Sequence, residues 1–278
     1  MKHLLLFGLA LLVLSARLHA QKQVDYFYNK GLKAYRDSNF TSARHYFRYV
    51  ITNYPHSQQY NNSIIALGCV YNNMGYHNHA EKLLLPFFQQ HINGKNVAKG
   101  KQAVVDKSYM HNAALILSYA FEKEKKYYSA FHYLALAYKT YPPFVLCNFD
   151  AEHYKTEYAI ARSQIYDEMG NHGKAQQELL RISFHFAGDD KAAYMDDLKK
   201  LLLKYNDKQQ LKIQLSESLH HFTVDTTYDP TWHREYTLYI TFLNTKIDVR
   251  YPSPADPDRV KILLYLKKSF LYQFIQSL

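Results

Sequence analysis

Small and apolar residues recur along this chain at helical spacing, and the recurrence comes in four rounds. In each, a small residue and an aromatic sit one helical turn apart. A polar break follows, then an alanine with a large apolar residue four positions later. The alanines are Ala43, Ala80, Ala130 and Ala175, and their partners are Phe47, Leu84, Leu134 and Leu179. Units of this kind bury their apolar faces only against their neighbours, which predicts stacked helical hairpins.

The first unit runs from about Val24 to Pro55. Phe27, Gly31 and Tyr35 share a helical face with Ala34 beside them, Asp37-Ser38-Asn39 breaks the pattern, and Ala43, Phe47, Val50 and Ile51 mark a second helix. Gly31 and Ala43 let the helices approach closely, Phe27, Phe40 and Phe47 fill the space between hairpins, and Pro55 stops the helix. The second unit carries Ile64, Leu67, Gly68 and Tyr71, a turn at Gly75, then Ala80 and Leu84. The third has Ala114, Leu117, Ser118 and Phe121, then Tyr127, Ala130, Leu134, Ala137 and a stop at Pro142. The fourth has Ala159, Ser163 and Tyr166, a turn at Gly170, then Ala175, Leu179 and Ile182.

Leu67-Gly68-x-x-Tyr71, Ala130-x-x-x-Leu134 with Pro142, Tyr54-Pro55 and Lys33-Ala34-Tyr35-x-x-x-Asn39-Phe40 carry a likeness. Over roughly residues 24–187 these units resemble tetratricopeptide repeats, and they are similar to exported envelope-assembly members of Gram-negative bacteria, Bacteroidetes in particular. The resemblance implies an all-α fold, a right-handed superhelix of αα-hairpins. The alanine spacings of 37, 50 and 45 exceed the family's repeat of about 34, so each junction carries extra residues. Pro86 should kink the helix that holds it, and the insertion from His91 to Lys107 reads as a flexible basic loop.

In tetratricopeptide proteins the first helix of each hairpin lines the concave surface. By position that implies a partner-binding groove built from Tyr28, Tyr35, Arg36, Asn62, Asn72, Asn73, Asn112, Tyr119 and Lys123. Leu32, Ile65 and Cys69 stand among them, and Glu157, Gln164, Asp167 and Glu168 follow from the fourth unit. Asparagine both donates to and accepts from a peptide backbone, and tyrosine offers contact area at low entropic cost. The groove therefore suits an extended protein or peptide segment, basic at one end and acidic at the other. The Lys and Asn clamp with which some family members hold a terminal carboxylate is not reproduced, because Leu32 and Cys69 occupy positions that need a polar residue.

From Lys191 the repeat fades. Ala193, Leu198, Leu201, Leu202 and Tyr205, then Leu211, Leu215 and Leu219, predict two further helices. Residues 222–251 read two ways. Asp229-Pro230 opens a helix, and Trp232, Tyr236, Tyr239, Leu243 and Ile247 keep helical spacing, yet the β-branched and aromatic content suits a hairpin. Helix is slightly favoured, and the C-terminal cap is thus helical or a small α+β module. Pro252, Pro254 and Pro257 form a break, and a closing helix carries Val260, Leu263, Leu264, Leu271 and Phe274.

Lys2 and His3, the uncharged run Leu4 to Leu14, and the small residues Ser15, Ala16 and Ala20 have the form of a secretory signal. The expected organisation is a leader at 1–20, repeats at 21–190 and a capping module at 191–278, with the mature protein periplasmic or secreted and lacking a transmembrane segment. The net charge of +10 drops to +8 without Lys2 and Arg17. For an exported chain, that charge points to acidic envelope components rather than nucleic acid. Cys69 and Cys147 read as unpaired.

Candidate chemistry is sparse. His77-x-His79 and His220-His221 lack the third convergent ligand that a catalytic zinc needs, so no metal and no cofactor is expected. Asp229, His233 and Glu235 around Trp232 are explained by capping and surface polarity. No phosphate-cradling glycine loop, G-x-S-x-G or H-E-x-x-H occurs. The sequence thus favours a binding scaffold over an enzyme. The alternatives are an enzyme or accessory protein with its site in the C-terminal third, and a basic module for acidic envelope polymers.

Overall fold

The computed structural model describes residues 21–93, 101–142, 148–183, 191–228, 234–251 and 258–278. These are mostly helical, with one small sheet. The expected leader, Cys147, Gly94 to Gly100, Asp229, Trp232 and His233 lie outside the described residues. Four helical hairpins are present: α1 (21–36) with α2 (Phe40–Asn53), α3 (Tyr60–Asn73) with α4 (His77–Asn93), α5 (Lys101–Lys123) with α6 (Tyr127–Ala135), and α7 (Asn148–Glu168) with α8 (His172–Ile182).

All four turn in one way. Three residues separate the paired helices, and the middle one has a positive φ: Ser38 at 57°, Gly75 at 74°, Lys125 at 59° and Gly170 at 77°. The next residue donates its N–H to a carbonyl five positions back. These bonds, Asn39 to Ala34, Tyr76 to Tyr71, Lys126 to Phe121 and Asn171 to Tyr166, are each 2.8 Å. That closure satisfies carbonyls left over at a helix end and needs a left-handed residue. Glycine supplies it freely in two turns, whereas Ser38 and Lys125 hold it against a Cβ clash. Ser38→Gly and Lys125→Gly are each expected to raise stability by about 0.5–1 kcal/mol, read by thermal unfolding.

A small residue and an alanine bracket each turn, always twelve positions apart: Gly31 and Ala43, Gly68 and Ala80, Ser118 and Ala130, Ser163 and Ala175. Every one of the alanines is fully buried. In the first two hairpins the glycine admits the apolar partner itself. A Cβ on Gly31 would lie 2.6 Å from Phe47 Cε1, and one on Gly68 2.7 Å from Leu84 Cδ1. In the other two a hydroxyl replaces that contact, and Ser118 and Ser163 each donate to the alanine carbonyl at 2.9 Å.

The chain divides into two compact units, 1–144 and 145–278. In the first, α1, α3 and α5 run side by side in one direction. Gln59 Nε2 donates to Asp25 Oδ1 at 3.0 Å, tying the starts of α1 and α3, and Asn73 Nδ2 donates to Tyr35 Oη at 3.1 Å, tying their ends. Asn72 Nδ2 donates to the Ile116 carbonyl at 2.9 Å, joining α3 to α5. Phe47, Leu67 and Val70 form a core against which Tyr28, Leu32 and Phe40 pack. Phe27 instead lies against Tyr49, 4.2 Å between ring centres, within its own hairpin.

One expectation shifts here. The helix α4 runs through Pro86 to Asn93, and Lys101 to Lys107 belong to α5, so the described parts of the basic insertion are helical rather than a loop. Lysine, glutamine and alanine at its start are good helix formers. At the other end of the third hairpin, α6 widens into a π-turn over Leu136–Thr140.

In the second unit, α8 contributes Ala175, Leu179 and Leu180 to a core shared with everything that follows. The fourth hairpin therefore shares one core with the segment that the sequence sets apart at residue 191. Helices α9 (Lys191–Tyr205) and α10 (Lys208–His220) follow as expected, with Leu198, Leu202, Leu211, Leu215 and Leu219 buried. Buried Tyr194 donates its hydroxyl to the Leu179 carbonyl.

The described residues of 222–251 are not helical. They form an antiparallel meander of β1 (Thr223–Tyr228), β2 (Arg234–Phe242) and β3 (Thr245–Tyr251), in the order β1-β2-β3. Val224 faces Leu238, which faces Val249, and Ile240 faces Ile247. Tyr236, Leu238, Ile240 and Phe242 are buried on one face, a period of two that overrides the helical one. Leu243 and Asn244 close the hairpin with φ of 47° and 57°, the two-residue turn that matches strand twist.

The closing helix is also two helices, α11 (Arg259–Lys267) and α12 (Phe270–Gln276). Asp258 caps the first through Val260 N–H, and Ser269 starts the second by accepting from Tyr272 N–H. Ile262, Leu266, Leu271 and Ile275 are the core residues. Val260 and Leu264, which share the apolar pattern of that segment, are exposed. No described helix is long and apolar enough to cross a membrane.

Candidate binding groove

Because α1, α3 and α5 are parallel neighbours, residues at matching heights on them converge. They enclose a concavity of about 430 Å³ lined by Tyr35 from α1, by Ile65, Cys69, Asn72 and Asn73 from α3, and by Asn112, Leu115, Ile116 and Tyr119 from α5. No lining side chain is charged. Of the residues expected in a groove, Tyr35, Asn72, Asn73, Asn112 and Tyr119 come together here, with Ile65 and Cys69 beside them.

The others stand apart from this lining. Tyr28 packs its ring 5.8 Å from that of Phe47, and burial followed by the nearby Tyr109 raises its phenol above the ordinary range. Asn62 donates to Gln59 Oε1 at 2.9 Å. Arg36 is exposed at the end of α1. Lys123 pairs with Glu122 at 2.8 Å and lies 5.3 Å above the Tyr119 ring. Leu115 and Ile116 were not singled out from the sequence, although they fall between Asn112 and Tyr119 on one helix.

The lining amides differ in what they leave open. Asn72 is buried with both ends of its amide engaged: its Nδ2 serves Ile116, and its Oδ1 meets His77 Nδ1 at 3.1 Å. It builds the groove and is spent in doing so. Asn73 Nδ2 is shared between Tyr35 Oη and the Cys69 carbonyl, at 3.1 and 2.9 Å, and its Oδ1 remains available to an incoming N–H. Asn112 is exposed, with neither end of its amide engaged among the described residues. Tyr119 is 46% exposed and meets His77 edge-on at 5.9 Å.

Cys69 is a free thiol at the floor. Burial pushes it up to about 11, so it stays protonated and acts as a small apolar surface at neutral pH. The Tyr35 phenol is raised too, by burial first and by Cys69 second, against the hydrogen bond from Asn73. The groove thus presents neutral amides and phenols over an apolar base.

The histidine pairs serve separate neighbours. His77 turns to Asn72 and Tyr119, while His79 lies between the rings of Tyr71 and Tyr76 at 5.4 and 5.6 Å. His220 Nδ1 donates to the Ser216 carbonyl at 2.7 Å. Among the described residues, no three histidine, cysteine or acidic side chains converge as a metal site. In the second unit, Asp167 is consumed by His172 at 2.7 Å, Tyr205 at 2.8 Å and Lys204 at 2.9 Å, and Glu157 faces His153 at 3.4 Å.

Comparison with protein-family models, with curated proteins and with solved structures returns no match.

Proposed function

We propose that this chain is an exported, tetratricopeptide-like scaffold that holds an extended protein segment in the groove of its first three hairpins. The observation that carries this reading is the lining itself: an open Oδ1 at Asn73 and an open amide at Asn112, exposed Tyr119, and an apolar floor at Ile65, Cys69 and Leu115. A peptide backbone needs donors and acceptors on both sides, and an apolar side chain of the segment would rest on the floor. Arg36 and Lys123, beyond the lining, would favour a segment with acidic residues at that end. A protonated thiol and neutral amides offer little to acid–base or nucleophilic catalysis, which supports binding over chemistry. The form of residues 1–20 supports export to the periplasm or beyond, where the partner would be an envelope protein.

Site-specific photo-crosslinking in the exporting cell tests the proposal. A crosslinker at Asn112 is expected to trap a polypeptide that one at Tyr128, 91% exposed and on α6, does not. Tyr119→Ala should weaken that complex by roughly thirty-fold, the effect of losing an aromatic anchor worth about 2 kcal/mol. Trapping of the same products from both positions would sink the groove reading.

A further inference from the structure

The helix α11 is apolar on two opposite faces, and the fold uses only one. Ile262 and Leu266 are turned into the core, at 1% and 0% exposure. On the far side Val260 and Leu264, one turn apart, are 63% and 56% exposed. With 3.6 residues per turn, Lys267 falls on one flank of this aliphatic pair, and Lys261 and Lys268 fall on the other. No ion pair engages these lysines among the described residues, and no Asp or Glu occurs from Arg259 to Leu278.

We propose that this face of α11 docks on an anionic lipid bilayer. Two requirements must be met at once: cover for exposed aliphatic carbon, and countercharge for three unpaired cations around it. A bilayer surface of acidic phospholipid meets both. Val260 and Leu264 enter the acyl boundary, and the lysine stems lie along it with their ammonium groups among the phosphates. A soluble polyanion would satisfy the lysines and leave the aliphatic pair wet. A second copy docked through the same face would set lysine against lysine, which like-charge repulsion disfavours. The helix is short and capped by Asp258, so it lies on the surface rather than crossing it. This docking site lies outside the groove and adds a second attachment for the scaffold.

Co-sedimentation with vesicles tests it, using residues 21–278, which include every described residue. The protein is expected to pellet with vesicles of phosphatidylglycerol mixed into phosphatidylcholine and to remain in solution with phosphatidylcholine alone. Lys261→Gln with Lys267→Gln should lower partitioning by roughly 25-fold, about five-fold per lysine. Val260→Ser with Leu264→Ser should lower it at least as far while leaving the charge unchanged. Both pairs are exposed, and circular dichroism checks that the fold is kept. Failure of the unaltered protein to bind anionic vesicles overturns the proposal. So does binding that persists after the serine substitutions, which would mean charge attraction alone, of the kind any polyanion provides. Loss with both pairs, in vesicles and not in competition with soluble glycerophosphate, supports it.

Discussion

Phe47→Ala is expected to destabilise the first unit by about 3–5 kcal/mol, the cost of removing a fully buried aromatic ring. The ring is held between Gly31 and the Leu67–Val70 side of α3, with the Tyr28 ring 5.8 Å away, so little can move in to close the cavity. A sharper form of the prediction concerns Gly31. In the unaltered protein Gly31→Ala sets a methyl 2.6 Å from a ring carbon, and overpacking of about 1–3 kcal/mol outweighs the helical gain of about 1 kcal/mol. With Phe47 already alanine, the clash is gone and the helical gain remains. Gly31→Ala should therefore lower the melting temperature alone and raise it in the Phe47→Ala background. The same sign in both backgrounds, by denaturant titration of the four proteins, would refute the account of why glycine stands there. Gly68→Ala should cost less, since its obstacle is the end of the Leu84 side chain, which can rotate.

The second large effect is expected at His111. In the π-turn that ends α6, Tyr141 N–H donates to Leu136, five residues back, rather than to Ala137 as an α-helix would require. That leaves the Ala137 carbonyl open inside the protein. His111, 6% exposed, fills the gap: its Nδ1 lies 2.9 Å from the Ala137 carbonyl and 3.1 Å from that of Tyr141. Carbonyls only accept, so Nδ1 carries the proton. His111→Leu keeps the volume, removes the donor and should cost about 1–3 kcal/mol. His111→Asn places an amide N–H near the same point and should retain much of the difference. Equal losses for Leu and Asn, by thermal unfolding, would show that the ring rather than its proton matters.

The hairpins were legible because their chemistry is local. An alanine at a helix crossing has no tolerated larger substitute, and its distance from the preceding small residue is set by a three-residue turn. The lining of the groove was partly legible for the same reason: Asn112 and Tyr119 lie on a helical face whose direction the repeat fixes. What was hidden was how each amide is spent. Nothing in the spacing separates Asn72, used up on Ile116 and His77, from Asn73 and Asn112, which keep capacity for a ligand. In the sequence the meander stays open between helix and hairpin because Tyr236, Tyr239, Leu243 and Ile247 satisfy a helical period while every second residue from Tyr236 to Phe242 satisfies a strand. Its turn gave no warning, since Leu243 is a poor advertisement for a left-handed conformation. The exposure of Val260 and Leu264 was hidden because helical spacing alone does not say which apolar face of α11 is already covered.

The constancy of the four turns has a consequence for how such a chain can change. Within a hairpin, the distance from small residue to alanine is twelve every time, and the left-handed residue holds the same place in it. The unequal spacing of 37, 50 and 45 between successive alanines must therefore arise outside these spans, and it lies in the outer ends of the helices: the connections 54–59, 94–100 and 141–147 are nearly equal in length, whereas α5 has 23 residues against 14 in α3. Insertion or deletion there leaves every internal register intact, whereas one residue added inside a turn would rotate a whole helix by about 100° and carry its alanine off the contact. Length is thus a free variable at the outer ends of the helices and a fixed one across the turns, so whole hairpins, rather than single helices, are the pieces in which this architecture can be gained, lost or grafted.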